Sequence, residues 1–293
     1  MTNKIKEYNF RKEYENIGFE IQYLNDFFKT VSENQTKQPH RVKFYAILLV
    51  TEGKGEHLID FKKYAYQEKD IIFIGKDQVH AWLNRDKING FILFFTEDFL
   101  HQNQIKFKDL SYSYPYNSLI YKPILSLQEG KQYDTFHALV QYLYQEYHSP
   151  NSYEQQEILQ CLLRTFILKT KSQSQFKHKN LNIPSSDKAL FIQFQKMLDE
   201  KLAISRNAKD YCEWLDISYQ KLNRICKIFT KMPIKGFIDE TLILKTQKEL
   251  SNRGITISEV AYQFGFDEVT NFTKYFKKHT NLSPKAFQSS HLF

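Results

Sequence analysis

The sequence is short of cysteine, of long apolar runs and of any recognisable catalytic loop, and each shortage narrows what it can be. Its three cysteines, Cys161, Cys212 and Cys226, are odd in number and are not spaced like a metal site. Each falls in an apolar helical pattern, so all three are expected as small core residues in a reducing compartment. The N-terminal stretch MTNKIKEYNFRKEYENIGF lacks the apolar centre of a secretory signal. The longest apolar runs, 45–50 and 91–95, are far too short to span a bilayer. A cytoplasmic protein with no membrane segment is expected. No Gly-rich phosphate loop, nucleophile motif or catalytic carboxylate pair stands out. The chain is therefore not read as an enzyme, and no cofactor is implied.

Apolar and aromatic residues are plentiful. At 42% hydrophobic and 16% aromatic, the 293 residues can build true cores, which excludes disorder as the default. The length suits two domains. Formal net charge is +8. Residues 187–293 hold 17 Lys or Arg against 12 Asp or Glu, and residues 1–186 hold 24 against 21. A basic C-terminal third is compatible with a polyanionic partner.

The hydrophobic period changes along the chain. Residues 19–100 read as short strands. Strand-like runs at 19–28, 44–50, 56–60, 64–66, 70–74 and 91–95 are separated by turns, among them the polar TEGKGE after Val50. This spacing predicts a sandwich or small barrel. From about 131 the period becomes helical. One helix is predicted at 134–147, with Phe136, Leu139, Val140, Leu143 and Tyr144 on one side. A break at Ser149-Pro150-Asn151 precedes a second helix at 152–170, whose stripe includes Leu159, Leu162, Leu163 and Phe166. These helices either pack on the strands or form a dimer interface, and the second stripe is the expected dimerisation face. Residues 171–186, KSQSQFKHKNLNIPSS, are polar and basic and read as a linker.

Beyond the linker the pattern is helical throughout. An amphipathic helix at 187–202 is followed by a short one at 208–214 and a turn at Leu215-Asp216-Ile217. Ser218 is placed to cap the next helix, which runs to about Phe229. Leu222, Ile225, Cys226 and Phe229 form its inner stripe. Its other face carries Tyr219, Gln220, Asn223, Arg224 and Lys227. A short helix, a tight turn and a second helix with a hydrogen-bonding outer face make a helix-turn-helix. The pattern returns about fifty residues later. A connecting helix at 234–252 spans roughly 28 Å, and Gly254 follows it as a C-terminal cap. Thr256 to Glu259 has the form of a capping box opening a helix through Phe264. Gly265 permits the turn, and Asp267 is expected to cap a helix at 268–279. Ser283-Pro284 opens a last short helix. Two such helices one DNA turn apart, about 34 Å, can read successive major grooves.

The stretch ISEVAYQFGFDEVTNFTKYFKKHTNLSPKAF, 257–287, resembles the signature of the AraC/XylS family of transcriptional regulators. The resemblance rests on Ile257, Glu259-Val260-Ala261, Gly265-Phe266, Phe272, Phe276-Lys277-Lys278 and Ser283-Pro284. In the first unit it rests on Asp216-Ile217-Ser218, Leu222-Asn223-Arg224, Lys227 and Phe237-Ile238. It covers about 187–290. Lys231 and Asn281 stand where the family usually has Gly after each recognition helix, and Gln288 stands where it usually has Arg. The resemblance implies base-facing Tyr219, Gln220, Asn223, Arg224, Thr270, Asn271, Thr273 and Lys274. Arg224 suits guanine, and Asn223 or Gln220 suits adenine. Ser218, Lys227, Lys277 and Lys278 are implied phosphate contacts. The implied partners are double-stranded promoter DNA, RNA polymerase, a small-molecule effector and a second copy of the chain.

Residues 39–95 resemble, more loosely, the cupin-like sensor domains of that family. The carrying features are Pro39-His40, Glu52-Gly53-Lys54-Gly55, Gly75 and Gln78-Val79-His80. His80 followed by Asn84 echoes one metal-cupin motif, but the His-x-His motif is absent, so no metal is expected. A metal-free effector pocket lined by His40, Tyr45, His80 and Trp82 is expected instead.

The fold class is thus α+β in two domains, a cupin-like β-sandwich or barrel with flanking helices and an all-α domain with two helix-turn-helix units. The boundaries are 1–130 for the sensor, 131–170 for the helical segment, 171–186 for the linker and 187–293 for the DNA-binding domain. The function expected is sequence-specific transcriptional regulation under a small organic effector, as activator or repressor. The alternatives are an effector-independent DNA-binding protein and a metal-dependent cupin enzyme fused to a DNA-binding domain.

Overall fold

The computed structural model describes residues 5–10, 18–101, 112, 114–149, 153–177, 184–252 and 254–290. The chain divides into two compact units, Lys6–Leu181 and Asn182–Phe293, the latter together with Met1–Ile5.

The N-terminal unit is a β-domain with helices. Two long strands, β4 (Tyr45–Ile59) and β7 (Val79–Phe95), pair antiparallel along most of their length. Around them lie β1 (Lys6–Tyr8), β2 (Phe19–Tyr23), β3 (His40–Val42), β5 (Lys62–Gln67), β6 (Asp70–Ile74) and β8 (Ile124–Ser126). The sheet order is β1-β3-β7-β4-β6-β8, with β2 also on β7 and β5 also on β4. Both faces of the central strands are buried. Tyr45, Ile47, Leu49, Phe91, Leu93 and Phe95 enter one core layer, and Ala46, Leu48, Val50, Ile72 and Ile92 enter the other. That is why 44–50 reads as a continuous apolar run rather than an alternation.

Two expectations fail here. The run 19–28 is not one strand: β2 ends at Tyr23, and α1 (Leu24–Thr30) follows it. TEGKGE is not a turn: β4 runs straight through it, with register shifts between Val50 and Glu52 and between Glu52 and Lys54. The extra residues are taken up as bulges. Gly90, opposite Val50, lies at φ +139°, where a side chain would meet the carbonyl oxygen of Leu49 at 2.0 Å. The polar turn-like composition thus marks a bulged strand, not a chain reversal.

Short helices α2 (Glu33–Lys37) and α3 (Glu97–His101) follow α1 and β7, and the longer α4 (Lys131–His148) and α5 (Gln155–Lys177) close one core layer. Phe136, Val140, Leu143, Leu159, Leu163, Phe166 and Ile167 are buried in it. Residues 171–177, expected in the linker, continue α5, and Ser185 and Ser186 already belong to the next helix. Residues 178–183 of that expected linker, and Pro150 and Asn151 of the expected break, lie outside the described residues. The stripe expected to dimerise is corrected by this packing. Leu159, Leu163 and Phe166 are buried within the chain, and Leu162 is half-buried against the same cluster. Cys161 is exposed rather than in the core, while Cys212 and Cys226 are buried as expected.

The C-terminal unit is all helical: α6 (Ser185–Lys201), α7 (Ala208–Trp214), α8 (Tyr219–Thr230), α9 (Ile234–Leu250), α10 (Ile257–Gln263), α11 (Val269–Thr280) and α12 (Pro284–Ser289). Its two halves echo each other. The turn between α7 and α8 places Asp216 at φ 51°, and that between α10 and α11 places Gly265 at φ 71°. A side chain at Gly265 would meet the carbonyl oxygen of Ala203 at 2.1 Å. Thr230 Oγ1 donates to the Cys226 carbonyl and accepts from Met232 N. Fifty positions on, Thr280 Oγ1 does the same with Phe276 and Leu282. The capping box at Thr256 and Glu259 forms, and Ser218 and Ser283 cap α8 and α12. Asp267 does not cap α11; its N-cap is Glu268, with no side-chain bond to the helix. Gly254 is not the C-cap of α9, a position held by Ser251.

Between the halves lies α9. Ile234, Phe237, Ile238, Thr241, Leu242, Ile243, Thr246 and Leu250 are buried on it, around more than one side, because α7, α8, α10, α11 and α12 all pack on it. Gln288 replaces the expected arginine usefully: its Nε2 donates to the carbonyls of Leu250 and Ile255, each at 3.2 Å. It ties the last helix to the chain leaving α9.

Lys231 and Asn281 close α8 and α11 in the left-handed region, at φ 63° and 60°. A β-carbon is disfavoured there by about 1 kcal/mol, less for Asn. Lys231→Gly is expected to stabilise the C-terminal unit by roughly that 1 kcal/mol, and Asn281→Gly by less. Urea unfolding followed at Trp214, in a Trp82→Phe background, checks both; an unchanged midpoint for Lys231→Gly would contradict the strain.

Candidate nucleic-acid interface and sensor core

The inner stripes of α8 and α11 are fully buried, through Leu222, Ile225 and Cys226 in one and Phe272 and Phe276 in the other. Burial of one stripe leaves the opposite face outward. On α8 that face carries exposed Tyr219, Gln220, Lys221, Arg224 and Lys227; on α11 it carries exposed Thr270, Asn271, Lys274, Lys277 and Lys278, with Thr273 half-buried. Both faces are polar and basic and bear no carboxylate of their own. Lys221 is not among the expected contacts, although its place beside Gln220 is legible in the sequence.

Several of the expected readers have other work. Asn223 is half-buried, and its Oδ1 accepts from Ile234 N at 3.2 Å. The N-cap of α9 is Pro233, which has no side chain able to cap. Asn223 therefore caps α9 from the neighbouring helix and holds the two helices in register. Thr270 Oγ1 donates to Glu268 Oε2 at 2.9 Å. Ser218 Oγ accepts from Lys221 N at 3.3 Å, so its hydroxyl oxygen serves the helix. Arg224 Nη2 donates to Asp187 Oδ2 at 2.9 Å. Asp187 stands 37 positions earlier, and no short-range spacing could have pointed to it.

The two halves are also locked together. Tyr275 on α11 donates to Asp239 on α9 at 2.7 Å. Arg206 Nη2 donates to the Gly265 carbonyl at 3.0 Å, and its guanidinium lies 3.9 Å from the centre of the Phe266 ring. The first contact holds the second recognition helix on α9, and the second ties the turn before that helix to the segment between α6 and α7.

In the N-terminal unit the expected effector residues part company. His40, His80 and Trp82 come together, but Tyr45 lies in the opposite core layer, stacked on Phe95 at 5.4 Å and beside Tyr116 at 4.8 Å. Alternation along residues 45–50 puts it there, and the register shifts further along β4 bring His57 round to the other face. The residue that takes its place is His57. His57 Nε2 and His80 Nδ1 are 3.1 Å apart, the His40 and His80 rings are 4.1 Å apart, and His57 lies 4.4 Å from Trp82. Strands β3, β4 and β7 carry one histidine each, and pairing of His40 with His80 across β3 and β7 sets the stack. His57 Nδ1 and His80 Nε2 are buried with no hydrogen-bond partner, as is the hydroxyl of Tyr8, whose ring meets His40 edge-on. Burial holds the imidazoles neutral. It lowers His40, drives His57 down to about 3 with help from His40, and lowers His80 well below the usual histidine value. Buried Arg41 stands next in the strand, 3.6 Å from Glu7. Among the described residues no group of three or more His, Cys, Asp or Glu side chains is disposed to hold a metal ion. A polar groove between the start of α4 and the end of α5, edged by Gln128, Lys131, Gln132 and Lys169, borders none of the expected pocket residues. Among the described residues no helix is long and apolar enough to cross a membrane.

Residues 30–167 match the family model of the AraC-like ligand binding domain, and residues 211–290 match that of a helix-turn-helix domain. The chain is 23% identical over 253 residues to the HTH-type transcriptional activator RhaS of Escherichia coli, across 84% of this chain and 85% of that protein. It is 29% identical over 104 residues to the Msm operon regulatory protein of Streptococcus mutans, a match that spans only 37% of that protein. Among solved structures it is similar to ToxT of Vibrio cholerae, with 16% identity, a TM-score of 0.45, and coverage of 92% of this chain and 97% of that one.

Two outcomes follow from the geometry. Asn223→Ala is expected to destabilise the C-terminal unit by about 1 kcal/mol, the usual worth of a helix cap, whereas Gln220→Ala leaves stability unchanged. Equal unfolding midpoints for the two variants would remove the capping role. The histidines act through pH. Their folded values lie below the unfolded value near 6.5, so stability is complete above that pH and is lost progressively as pH falls below it, because the unfolded chain takes up protons while the folded imidazoles stay neutral. For His57 alone, the loss between pH 7 and pH 5 is about 2 kcal/mol. Unfolding followed at Trp82 in a Trp214→Phe background should show it, and His57→Gln should flatten the dependence. A midpoint that holds steady between those pH values would mean the histidines are not buried neutral.

Proposed function

Because the chain belongs to the AraC/XylS family of transcriptional regulators, we propose that α8 and α11 read successive major grooves of promoter DNA. The observation that carries this reading is the repeated unit itself: two outward basic helices, fifty residues apart in sequence, packed on one rigid connecting helix of about 25 Å. Tyr219, Gln220, Arg224, Asn271, Thr273 and Lys274 supply base contacts, with Arg224 opposite guanine. Lys227, Lys277 and Lys278, joined by Lys221, meet phosphates. Asn223, Thr270 and Ser218 already have protein partners; Asn223 serves the helix packing first. Binding beside RNA polymerase, as a homodimer in the cytoplasm and without an enzymatic activity of its own, completes the reading on the strength of the family.

For the N-terminal unit, we place a small organic effector at the buried histidines. The two unpartnered imidazole nitrogens, of His57 and His80, with Trp82 against His57, supply polar groups in an apolar setting, which is how such ligands are fixed. If no metabolite in a broad panel changed DNA binding or thermal stability, the effector-independent reading would replace this one.

Selection of DNA from a random pool with the full-length chain, at stated salt, tests the two-groove reading. Two short conserved blocks about one helical turn apart are expected, and their duplication reports a dimer. In that site Arg224→Ala should cost about 1–3 kcal/mol and relax one base pair. A loss equal for every sequence would instead make Arg224 a phosphate contact.

A further inference from the structure

We infer that Asp187, outside both helix-turn-helix units, is a positioning residue that sets the base preference of the first one by holding Arg224. This rests on the reading of Arg224 as a base contact. Asp187 lies in the first turn of α6 and is only 5% exposed. Its Oδ2 takes Arg224 Nη2 at 2.9 Å, while the Arg224 side chain remains 54% exposed.

A guanidinium has five N–H donors in a flat fork. One nitrogen engaged by the carboxylate leaves other N–H groups outward for the N7 and O6 acceptors of a guanine. A free arginine would have to give up rotamer freedom to make that bidentate contact; a pinned one has given it up already. Asp187 is in turn held against α8. Phe191, one helical turn along α6, stacks on Phe229 at 4.6 Å with the planes 8° apart and also meets Phe237 at 5.6 Å. The carboxylate therefore sits at a fixed place relative to the recognition helix.

Among the described residues the second unit shows no counterpart of this pair. Lys274 occupies the position fifty residues after Arg224, is exposed, and has no ion pair among the described residues. A flexible point charge reads a base less strictly than a planar fork does. The first unit is the stringent reader, and Asp187 is the source of its stringency.

The test uses the full-length protein and the site that it selects from the random pool. Duplexes with each single base-pair change compete against that site for binding to the wild type, Asp187→Asn, Asp187→Glu, Arg224→Ala and the Asp187→Asn, Arg224→Ala double variant. Thermal midpoints are measured beside them. Asp187→Asn should narrow discrimination about fivefold or more at the one base pair that Arg224→Ala relaxes, and nowhere else. The double variant should be no more relaxed than Arg224→Ala. Asp187→Glu, which keeps the charge, should recover part of the preference, and it serves if the Asn variant does not fold. Loss of thermal stability with the base preference intact would make Asp187 structural only and overturn the inference. Tighter binding of the selected site by Asp187→Asn would overturn it too, since the carboxylate would then be withholding Arg224. If Arg224→Ala relaxes no base pair, the base-contact reading itself fails and takes this inference with it.

Discussion

Burial of α9 from several sides is the constraint on which the C-terminal unit depends. Phe237, Ile238, Leu242 and Leu250 are each at most 2% exposed, and each contributes roughly 1.5–3 kcal/mol by leaving water. No single helix-turn-helix could cover such a helix. Both are needed, one at each end, and covering it fixes the distance and angle between them. The spacing of α8 and α11 is thereby a consequence of hydrophobic packing rather than of any contact between the two recognition helices.

Polar contacts then refine what packing sets. Asn223 caps α9 from α8, Tyr275 joins α11 to Asp239, and Gln288 closes the chain leaving α9. Each uses a polar side chain where the apolar surfaces end, so each carries orientation more than energy. The pinning of Arg224 by Asp187 belongs to the same class. In the N-terminal unit the histidine stack plays the opposite part. It places polar nitrogens inside a core, two of them unpartnered. Such groups are costly to bury, and they make that core responsive to pH and to any ligand that can supply the missing bonds.

Much of the C-terminal unit was legible in advance because its signals are local. Ser218, the Thr256–Glu259 box, Ser283-Pro284 and the 3.6-residue stripes act within one or two helical turns, and the structure keeps them. The positions of Lys231 and Asn281 stand out only through the family resemblance, which has Gly there, and the structure puts both in the left-handed region. The failures were of two kinds. Asp267 and Gly254 were assigned caps one or a few positions from where the chain ends its helices. Tyr45 is grouped with His40 and His80, and Leu159, Leu162, Leu163 and Phe166 are given to a dimer interface rather than to the chain's own core. Which face of a strand or helix is turned to its own chain is decided by neighbours far along the sequence.

The sequence by itself determined the two-part architecture, the repeated helix-turn-helix and the polar faces of α8 and α11, because periodicity and capping are properties of adjacent residues. Only the tertiary structure decided that TEGKGE is a bulged strand, that α5 turns its apolar stripe into the core it shares with α4 and the sheet, that His57 rather than Tyr45 joins the buried imidazoles, and that Asp187 meets Arg224. Each of these joins segments separated by tens of residues. A side chain's partner across such a distance depends on how whole elements pack, and no local pattern encodes it.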